Sequence, residues 1–481
     1  MKLMIFAIDA LPPDILFKNI NMFPNIKKLK ECGAYCEYDT YTYGYGSRDN
    51  WVSLYTGLTP KQHGIINNKY KNENRYPNTN DYKDKEPFWN ILNKHGLTVG
   101  MWKGLSTTPP QEIKGYMISG EINYESDPEL QDPYTSIKPV VHEKDKNILN
   151  IIDECMIEQQ PVPKSAEDFG YSWNELKNKK STLNKILKND YFKEATEYLK
   201  ENLDYYEKNI IKLQKSNPVD VCFFYTQLID YIGHFQSHDL EKKEIIKAIK
   251  IIDNFIGILI ENINPDNVIV ISDHGIKGWN ESFGNSDEEI QMEMFGLRDK
   301  AIWLENGAIV VEARNKGFLS ACHDIKGTFI ASGKEIKKCK IPDMRTVDFY
   351  TTLLEMFDIE IPSKRHGYVL DIFSNKNIKN QSRIFSNNLI NNRKSVAIIQ
   401  NIDIPDFNKV INEFFLNNRF CEITIIGEEK YKETFLCNTR VDSFIKIKEK
   451  SISKSILDCY DAVILPYKNI LTNKVEFYQI D

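Results

Sequence analysis

Seven side chains able to bind metal or handle protons stand at punctuated places in this 481-residue chain: Asp9, Ser47, Asp230, His234, Asp273, His274 and His323. Asp9 ends the apolar run LMIFAI, and Asp273-His274 ends the run NVIVIS. Asp230 and His234 follow DVCFFYTQ at a spacing that puts carboxylate and imidazole on one side of a helical turn or tight loop, able to share a cation. The adjacent Asp273 and His274 cannot point the same way on a strand. In a loop they can, with Gly275 relieving the backbone. Carboxylates and imidazoles at strand ends, with one hydroxyl among them, are what a two-metal phosphoryl-transfer site needs. Singly, each has a plainer reading. An Asp after a strand is commonly a turn or cap residue. Ser47 would serve as a helix N-cap, and a lone His before a strand is usually a surface or core polar group. His238 competes with His234 at the next helical step.

The elements that must position these residues read as follows. Leu3–Ile8, Thr98–Trp102, 220–227 and 267–272 are short runs with apolar centres, the pattern of strands buried on both faces. Between them lie helical patterns: 23–32 opened by Pro24, 88–95, the 4-3-4-3 spacing of Leu199, Leu203, Tyr206, Ile210 and Leu213, and Ile245 to Leu259. Alternation of strand and helix predicts an α/β fold, a mainly parallel sheet covered by helices on both faces. Its strands deliver ligands at their carboxyl ends. Residues 1–375 form this domain, with a polar, Pro- and Lys-rich stretch at about 124–195 expected as an inserted helical cap. A polar linker at 376–393 leads to a small α/β domain at 394–481. That domain shows strand patterns at 395–400, 423–427, 444–447 and 462–467 and a helix around 407–416.

Composition narrows the class. Hydrophobic residues make up 41% and charged residues 27%, as in globular proteins. Net charge is −6, with no basic block to suggest nucleic acid as a partner. The nine cysteines are scattered without a CxxC, which suits a reducing compartment and leads us to expect a cytoplasmic protein. The opening MKLMIFAIDA reads as a first strand rather than a signal peptide, and no run is long and apolar enough to span a membrane.

The segment from Gly44 to Asn68, GYGSRDNWVSLYTGLTPKQHGIINN, carries a resemblance. With the metal-type residues in their order, it resembles the alkaline phosphatase superfamily, and within it the type I phosphodiesterase / nucleotide pyrophosphatase family, over about residues 1–373. The motif elements are Ser47, Thr56-Gly57, Pro60 and His63-Gly64-Ile65, with His323 in CHDIKGTFIASG. Milder features are Phe88-Trp89, Thr107–Gly120 and Ile361–Phe373. The resemblance implies that Ser47 is the nucleophile, where a helix N-terminus would stabilise its alkoxide and the incoming phosphate. It implies that Asn68 donates to a non-bridging phosphoryl oxygen, with Asn67 an immediate competitor, and that His63 is structural. Asp9, Ser47, Asp273 and His274 would hold one metal, and Asp230, His234 and His323 the other. Three carboxylates and a serine alkoxide balance two divalent cations, and mixed N/O ligation favours Zn²⁺ over Mn²⁺.

The expected substrate is a small phosphate ester or nucleotide, and a diester in particular. A neutral Asn68 suits a single charge, whereas a monoester dianion calls for an Arg. Arg48 beside the nucleophile keeps a phosphomonoesterase open, and a phosphomutase shares the serine chemistry. A sulfatase does not fit, because Ser47 is followed by Arg48-Asp49-Asn50-Trp51. A binding module that has lost catalysis fits poorly with a full set of ligand positions. The small C-terminal domain, with no His and no glycine-rich phosphate loop, reads as a structural or oligomerisation module or as half of a nucleotide-sugar-binding unit.

Overall fold

An unbroken apolar run forms a strand that must be covered on both faces, and Leu3–Ile8 is buried along its whole length. Alternate residues serve different cores. Leu3, Ile5 and Ala7 pack with Trp51, Tyr55, Trp89 and Phe223, while Met4, Phe6 and Ile8 pack with Tyr206, Ile249 and Phe255. Each large side chain fully buried in this way contributes about 1.5–3 kcal/mol. The computed structural model describes residues 1–40, 46–66, 68–70, 75–119, 140–152, 170–187, 191–236, 241–278, 301–303, 309–312, 318–319, 321–324, 326–342, 344–365, 367–374, 376, 378–380, 394–400, 421–428, 443–446, 462–468 and 475–480.

The chain divides into two compact units, Met1–Lys277 with Ala313–Phe385, and Gly278–Glu312 with Ser386–Asp481. The strands up to the first helix-rich region are β1 (Leu3–Ile8), β2 (Ala34–Asp39), β3 (Ile65–Ile66), β4 (Lys69–Tyr70), β5 (Val99–Trp102), β6 (Gly115–Ser119) and β7 (Val140–Val141). There follow β8 (Val221–Thr226), β9 (Asn267–Ile271), β10 (Gly275–Gly278), β11 (Ala301–Trp303), β12 (Ile309–Glu312), β13 (Phe318–Leu319), β14 (Ala321–Asp324), β15 (Lys326–Gly333) and β16 (Cys339–Lys340). A nine-stranded sheet runs β16-β2-β15-β9-β1-β8-β5-β6-β7. Its centre, from β9 to β6, is parallel. β15 is antiparallel to both β9 and β2, and β7 is antiparallel to β6. The sheet is therefore mainly parallel, with helices supplying both cores. Pro24–Cys32, Tyr191–Ser216, Leu228–Gln236 and Lys243–Ile263 contribute to one, and Ser47–Thr56, Phe88–Lys94 and Asp348–Met356 to the other.

Register is what makes a site. Leu3 aligns with both Val221 and Asn267, and Ala7 with both Tyr225 and Ile271. The chain therefore leaves β1, β8 and β9 at one edge of the sheet, and the segments bearing Asp9, Asp230 and Asp273 all begin there.

Several expectations fall partly or wholly outside the described residues. Of the expected cap at 124–195, the described parts include short helices at Ile148–Ile151, Trp173–Lys177 and Lys180–Leu187, and the long helix that begins at Tyr191. Residues 381–393 of the expected linker lie outside them, whereas the backbone N–H groups of Lys379 and Asn380 donate to the buried carboxylate of Glu355. Asn67, His238 and the helix expected around 407–416 lie outside them too.

The second unit carries a five-stranded sheet of β17 (Lys394–Ile399), β18 (Cys421–Gly427), β19 (Ser443–Lys446), β20 (Ala462–Lys468) and β21 (Val475–Ile480), in the order β19-β18-β17-β20-β21. The first four are parallel and β21 is antiparallel. No helix among the described residues is long and apolar enough to cross a membrane.

Candidate active site

Two groups of ligand-type side chains form at the sheet edge. Asp9, Asp273 and His274 make one, Asp230, His234 and His323 the other, and within each group one ligand atom per residue lies within 4.8 Å of the rest. Asp9 is the residue immediately after β1. Asp230 and His234 lie one helical turn apart on Leu228–Gln236, as their spacing requires. Asp273 and His274 occupy the connection between β9 and β10. Gly275 is needed there, but not for a left-handed backbone: a Cβ on it would stand 2.7 Å from the Lys326 carbonyl oxygen. His323 arrives on β14, immediately before β15 inserts beside β9. Its ring stacks on that of His274 with centroids 3.8 Å apart, so the two groups adjoin.

The free edges of these side chains converge. His274 Nε2 lies 2.9 Å from Ser47 Oγ, 3.4 Å from Asp9 Oδ1 and 3.3 Å from Asp273 Oδ2. His234 Nε2 and His323 Nε2 are 2.9 Å apart, and Asp230 Oδ1 is 3.3 and 3.2 Å from them. Within the two groups, three buried carboxylate oxygens have no hydrogen-bond partner among the described residues: Asp9 Oδ1, Asp230 Oδ1 and Asp273 Oδ2. These are the oxygens that face the imidazoles. The opposite edges are tied down. Trp51 Nε1 and Tyr225 Oη donate to Asp9 Oδ2 at 2.9 and 2.7 Å, and the Ala10 N–H approaches Asp273 Oδ1 at 3.4 Å. His274 Nδ1 faces the Gly275 carbonyl and His234 Nδ1 the Ala321 carbonyl, each at 2.9 Å. A nitrogen that faces a carbonyl carries the proton, so in the neutral ring each Nε2 presents a lone pair. Orphaned oxygens and lone-pair nitrogens turned towards one another are the donor set of a divalent cation, and the residues fit such a group.

The electrostatics agree. Burial, and then the nearby Asp230 charge, push the Asp9 carboxyl up to about 8. Burial and the charges of Asp9 and Asp230 push Asp273 well above the usual carboxylate range. Burial opposes the charge of Asp230 too, but His234 and His323 outweigh it and hold that group well below its ordinary value. Burial, reinforced by His323, pushes His274 well down, so it is neutral. For His234, burial is overcome by the Asp230 charge, which raises it. Carboxylates crowded to the point of retaining protons are what a bound cation would relieve.

Ser47 is the first residue of the helix Ser47–Thr56, with Gly46 in the N-cap position. Its hydroxyl therefore does not cap the helix. It turns instead to His274. The helix ends at Gly57, whose φ of 64° is left-handed. Asn68 stands beside the helix start, its Oδ1 accepting from the Arg48 N–H at 3.0 Å. The Arg48 guanidinium donates to Ser106 Oγ at 3.1 Å and lies over the Tyr76 ring at 4.2 Å. His63 is buried, faces Ser53 Oγ at 3.0 Å and accepts from the Ile65 N–H at 3.1 Å. Burial pushes its pKa down to about 3, and it stands apart from both ligand groups. Sequence reasoning missed Trp51 and Tyr225 as holders of Asp9. A period-2 reading of 221–226 puts Tyr225 on one face of its strand, but nothing local says that β1 is the neighbour.

A family model described as type I phosphodiesterase / nucleotide pyrophosphatase matches residues 3–317, ending just before His323. Ectonucleotide pyrophosphatase/phosphodiesterase family member 3 of Bos taurus is 32% identical over 111 residues, 21% of this chain and 13% of that protein. Family member 1 of Homo sapiens is 30% identical over 141 residues, 25% of this chain and 15% of its own length. Venom phosphodiesterase 2 of Crotalus adamanteus is 28% identical over 113 residues, 21% of this chain and 14% of its own. The matched segments are thus a small part of each of these relatives.

Proposed function

The chain belongs to the type I phosphodiesterase / nucleotide pyrophosphatase family, and from that premise we propose that it is a phosphohydrolase with two divalent cations, cleaving phosphodiesters or nucleotide pyrophosphates through a covalent intermediate on Ser47. One observation carries the reading. Three buried carboxylates each present an unpartnered oxygen to histidine Nε2 atoms, beside a serine hydroxyl. Burial and mutual repulsion keep protons on Asp9 and Asp273 unless a cation offsets their charge, so such an arrangement calls for cations. Asp9, Ser47, Asp273 and His274 would hold one, and Asp230, His234 and His323 the other. The donor set favours Zn²⁺, with Mn²⁺ second. When bound, the pair supplies Lewis-acid chemistry, lowering the serine pKa and neutralising charge on the attacking and leaving oxygens.

The chain supplies nucleophile and orientation. Ser47 Oγ forms a bond to phosphorus as the P–O bond to the leaving alcohol or nucleotide breaks, and the leaving oxygen takes up a proton. Water then attacks the phosphorylated serine, the Oγ–P bond breaks, and the hydroxyl is regenerated. The helix N-terminus at Ser47 favours the anionic phosphoryl group. Asn68, anchored through Oδ1, has its Nδ2 group left to donate to a non-bridging oxygen. A neutral donor there, with Arg48 engaged by Ser106 and Tyr76, supports a diester over a monoester dianion. The relatives' names, nucleotide pyrophosphatases and phosphodiesterases, point the same way.

The test is a substrate panel on chelated protein with Zn²⁺ or Mn²⁺ restored. Bis-para-nitrophenyl phosphate and dinucleotides should show higher kcat/KM than para-nitrophenyl phosphate. A clear monoester preference would overturn the diesterase reading and bring Arg48 forward. Full activity in demonstrably metal-free protein would overturn the cations.

A further inference from the structure

We propose that Asp49 is a positioning residue that sets the distance between the nucleophile and the Asn68 amide that donates to the phosphoryl oxygen. The inference rests on the roles given above to Ser47 and Asn68. Asp49 is fully buried in the first turn of the Ser47–Thr56 helix. One of its oxygens, Oδ2, accepts from the Gly46 N–H at 2.6 Å, on the residue directly before the nucleophile. The other, Oδ1, accepts from the Asn68 N–H at 3.1 Å. Asn68 returns the connection, its Oδ1 accepting from the Arg48 N–H directly after the nucleophile. One carboxylate thus joins the backbone on the near side of Ser47 to the backbone of Asn68, and the Asn68 side chain joins back to the far side.

The ring of bonds holds something that would not hold itself. Asn68 has φ of 60°, a left-handed conformation that L-residues reach only at a cost, though Asn tolerates it better than most. Its carboxamide packs directly over Gly46, where a Cβ would fall 2.2 Å from both Nδ2 and Oδ1. A backbone N–H can only donate, so the end of the carboxamide facing Arg48 N is the oxygen and Nδ2 is the other end. The direction in which Asn68 offers its N–H groups is therefore fixed by Asp49 below and Gly46 beside it. Asp49 itself is turned into the helix start, where its carboxylate meets Gly46 and Asn68. Misplacing a catalytic group by about 1 Å is enough to lose about 10²-fold in rate.

The experiment is a double-mutant cycle on the full chain reloaded with metal, with bis-para-nitrophenyl phosphate as probe. Asn68→Ala should lower kcat by about 10²–10³-fold, the loss expected of one donor to developing charge. Asp49→Asn, which keeps the shape but cannot accept at both ends, should lower kcat by about 10–10²-fold with KM and bound metal unchanged. In the Asn68→Ala background the same substitution should cost no more than about threefold, because its effect travels through Asn68. Gly46→Ala reaches Asn68 by sterics alone and should also depress kcat, which keeps the idea testable if Asp49→Asn does not fold. The proposal is overturned if the two losses multiply, if Asp49→Asn keeps wild-type kcat, if it acts by shedding metal, or if Gly46→Ala is fully active. A fully active Ser47→Ala would instead sink the nucleophile reading, whatever the cycle shows.

Discussion

A serine hydroxyl is a weak nucleophile at neutral pH and needs its surroundings to activate it. Ser47 has such surroundings: it starts a helix, is largely buried, and lies 2.9 Å from the imidazole of His274 among unpartnered carboxylate oxygens. A hydroxyl that served as an N-cap would face the backbone of its own first turn, and this one does not. Ser47→Ala should lower kcat by about 10³-fold or more, as removal of a covalent nucleophile does. Thermal stability should stay close to wild type, since the hydroxyl makes no structural hydrogen bond beyond His274 among the described residues. Acid quenching during turnover should trap phosphate on wild-type protein and none on the variant. Near-full activity of the variant excludes Ser47 as the nucleophile.

At the scale of elements, the site is held by pairs of secondary structures rather than by loops alone. Asp9 leaves β1, but its orientation is set by Tyr225 near the end of β8 and Trp51 in the Ser47–Thr56 helix, both bonded to the same oxygen. With Oδ2 doubly occupied, Oδ1 is left to face His274. Groups that orient a metal ligand from behind typically account for about 10–100-fold in metal affinity. Tyr225→Phe removes one bond and little volume, so it should weaken binding at this cation by about that factor. A competition titration against a chromogenic chelator reads this directly. Unchanged affinity would mean that strand geometry alone aims Asp9.

For the whole molecule, the crowded carboxyls link cation binding to pH. Without metal, the folded chain holds the Asp9 carboxyl at about 8, against 3.8 ordinarily. Between those values the folded form keeps a proton that the unfolded chain has lost, so stability from this group falls as pH rises. His234, raised above its ordinary 6.5, contributes stability that is present below that value and is also lost as pH rises through its folded pKa. His274, pushed down, is neutral when folded, so until the unfolded imidazole has lost its proton, about one pH unit above 6.5, it adds a slope of the opposite sign. A cation must displace the protons on Asp9 and Asp273, so its binding strengthens with pH by about 1.4 kcal/mol per unit for each proton displaced. The melting temperatures of Zn²⁺-loaded and chelated protein should therefore separate further at pH 8 than at pH 6.5. A gap independent of pH would show that those carboxyls do not meet the metal.

What the sequence determined by itself is local. The apolar runs at 3–8, 221–226 and 267–271 are strands because only a two-sided core accepts them. The fourfold spacing from Asp230 to His234 puts both on one helix face whatever lies around it. The parallel, helix-covered sheet follows from the alternation of such segments. Tertiary structure decided which segments meet. That β1 lies between β8 and β9 brings three carboxylates to one edge, and no window of sequence states that order. His323 joins because β15 enters the sheet antiparallel between β9 and β2, delivering a residue far along the chain. Partners 42 and 216 residues from Asp9 fix its orientation. Periodicity and caps are written in nearest neighbours along the chain, whereas strand order and register are selected by the packing of whole faces against one another. The residues that could do chemistry could therefore be named from the sequence, while the oxygens left free to do it were decided only by the fold.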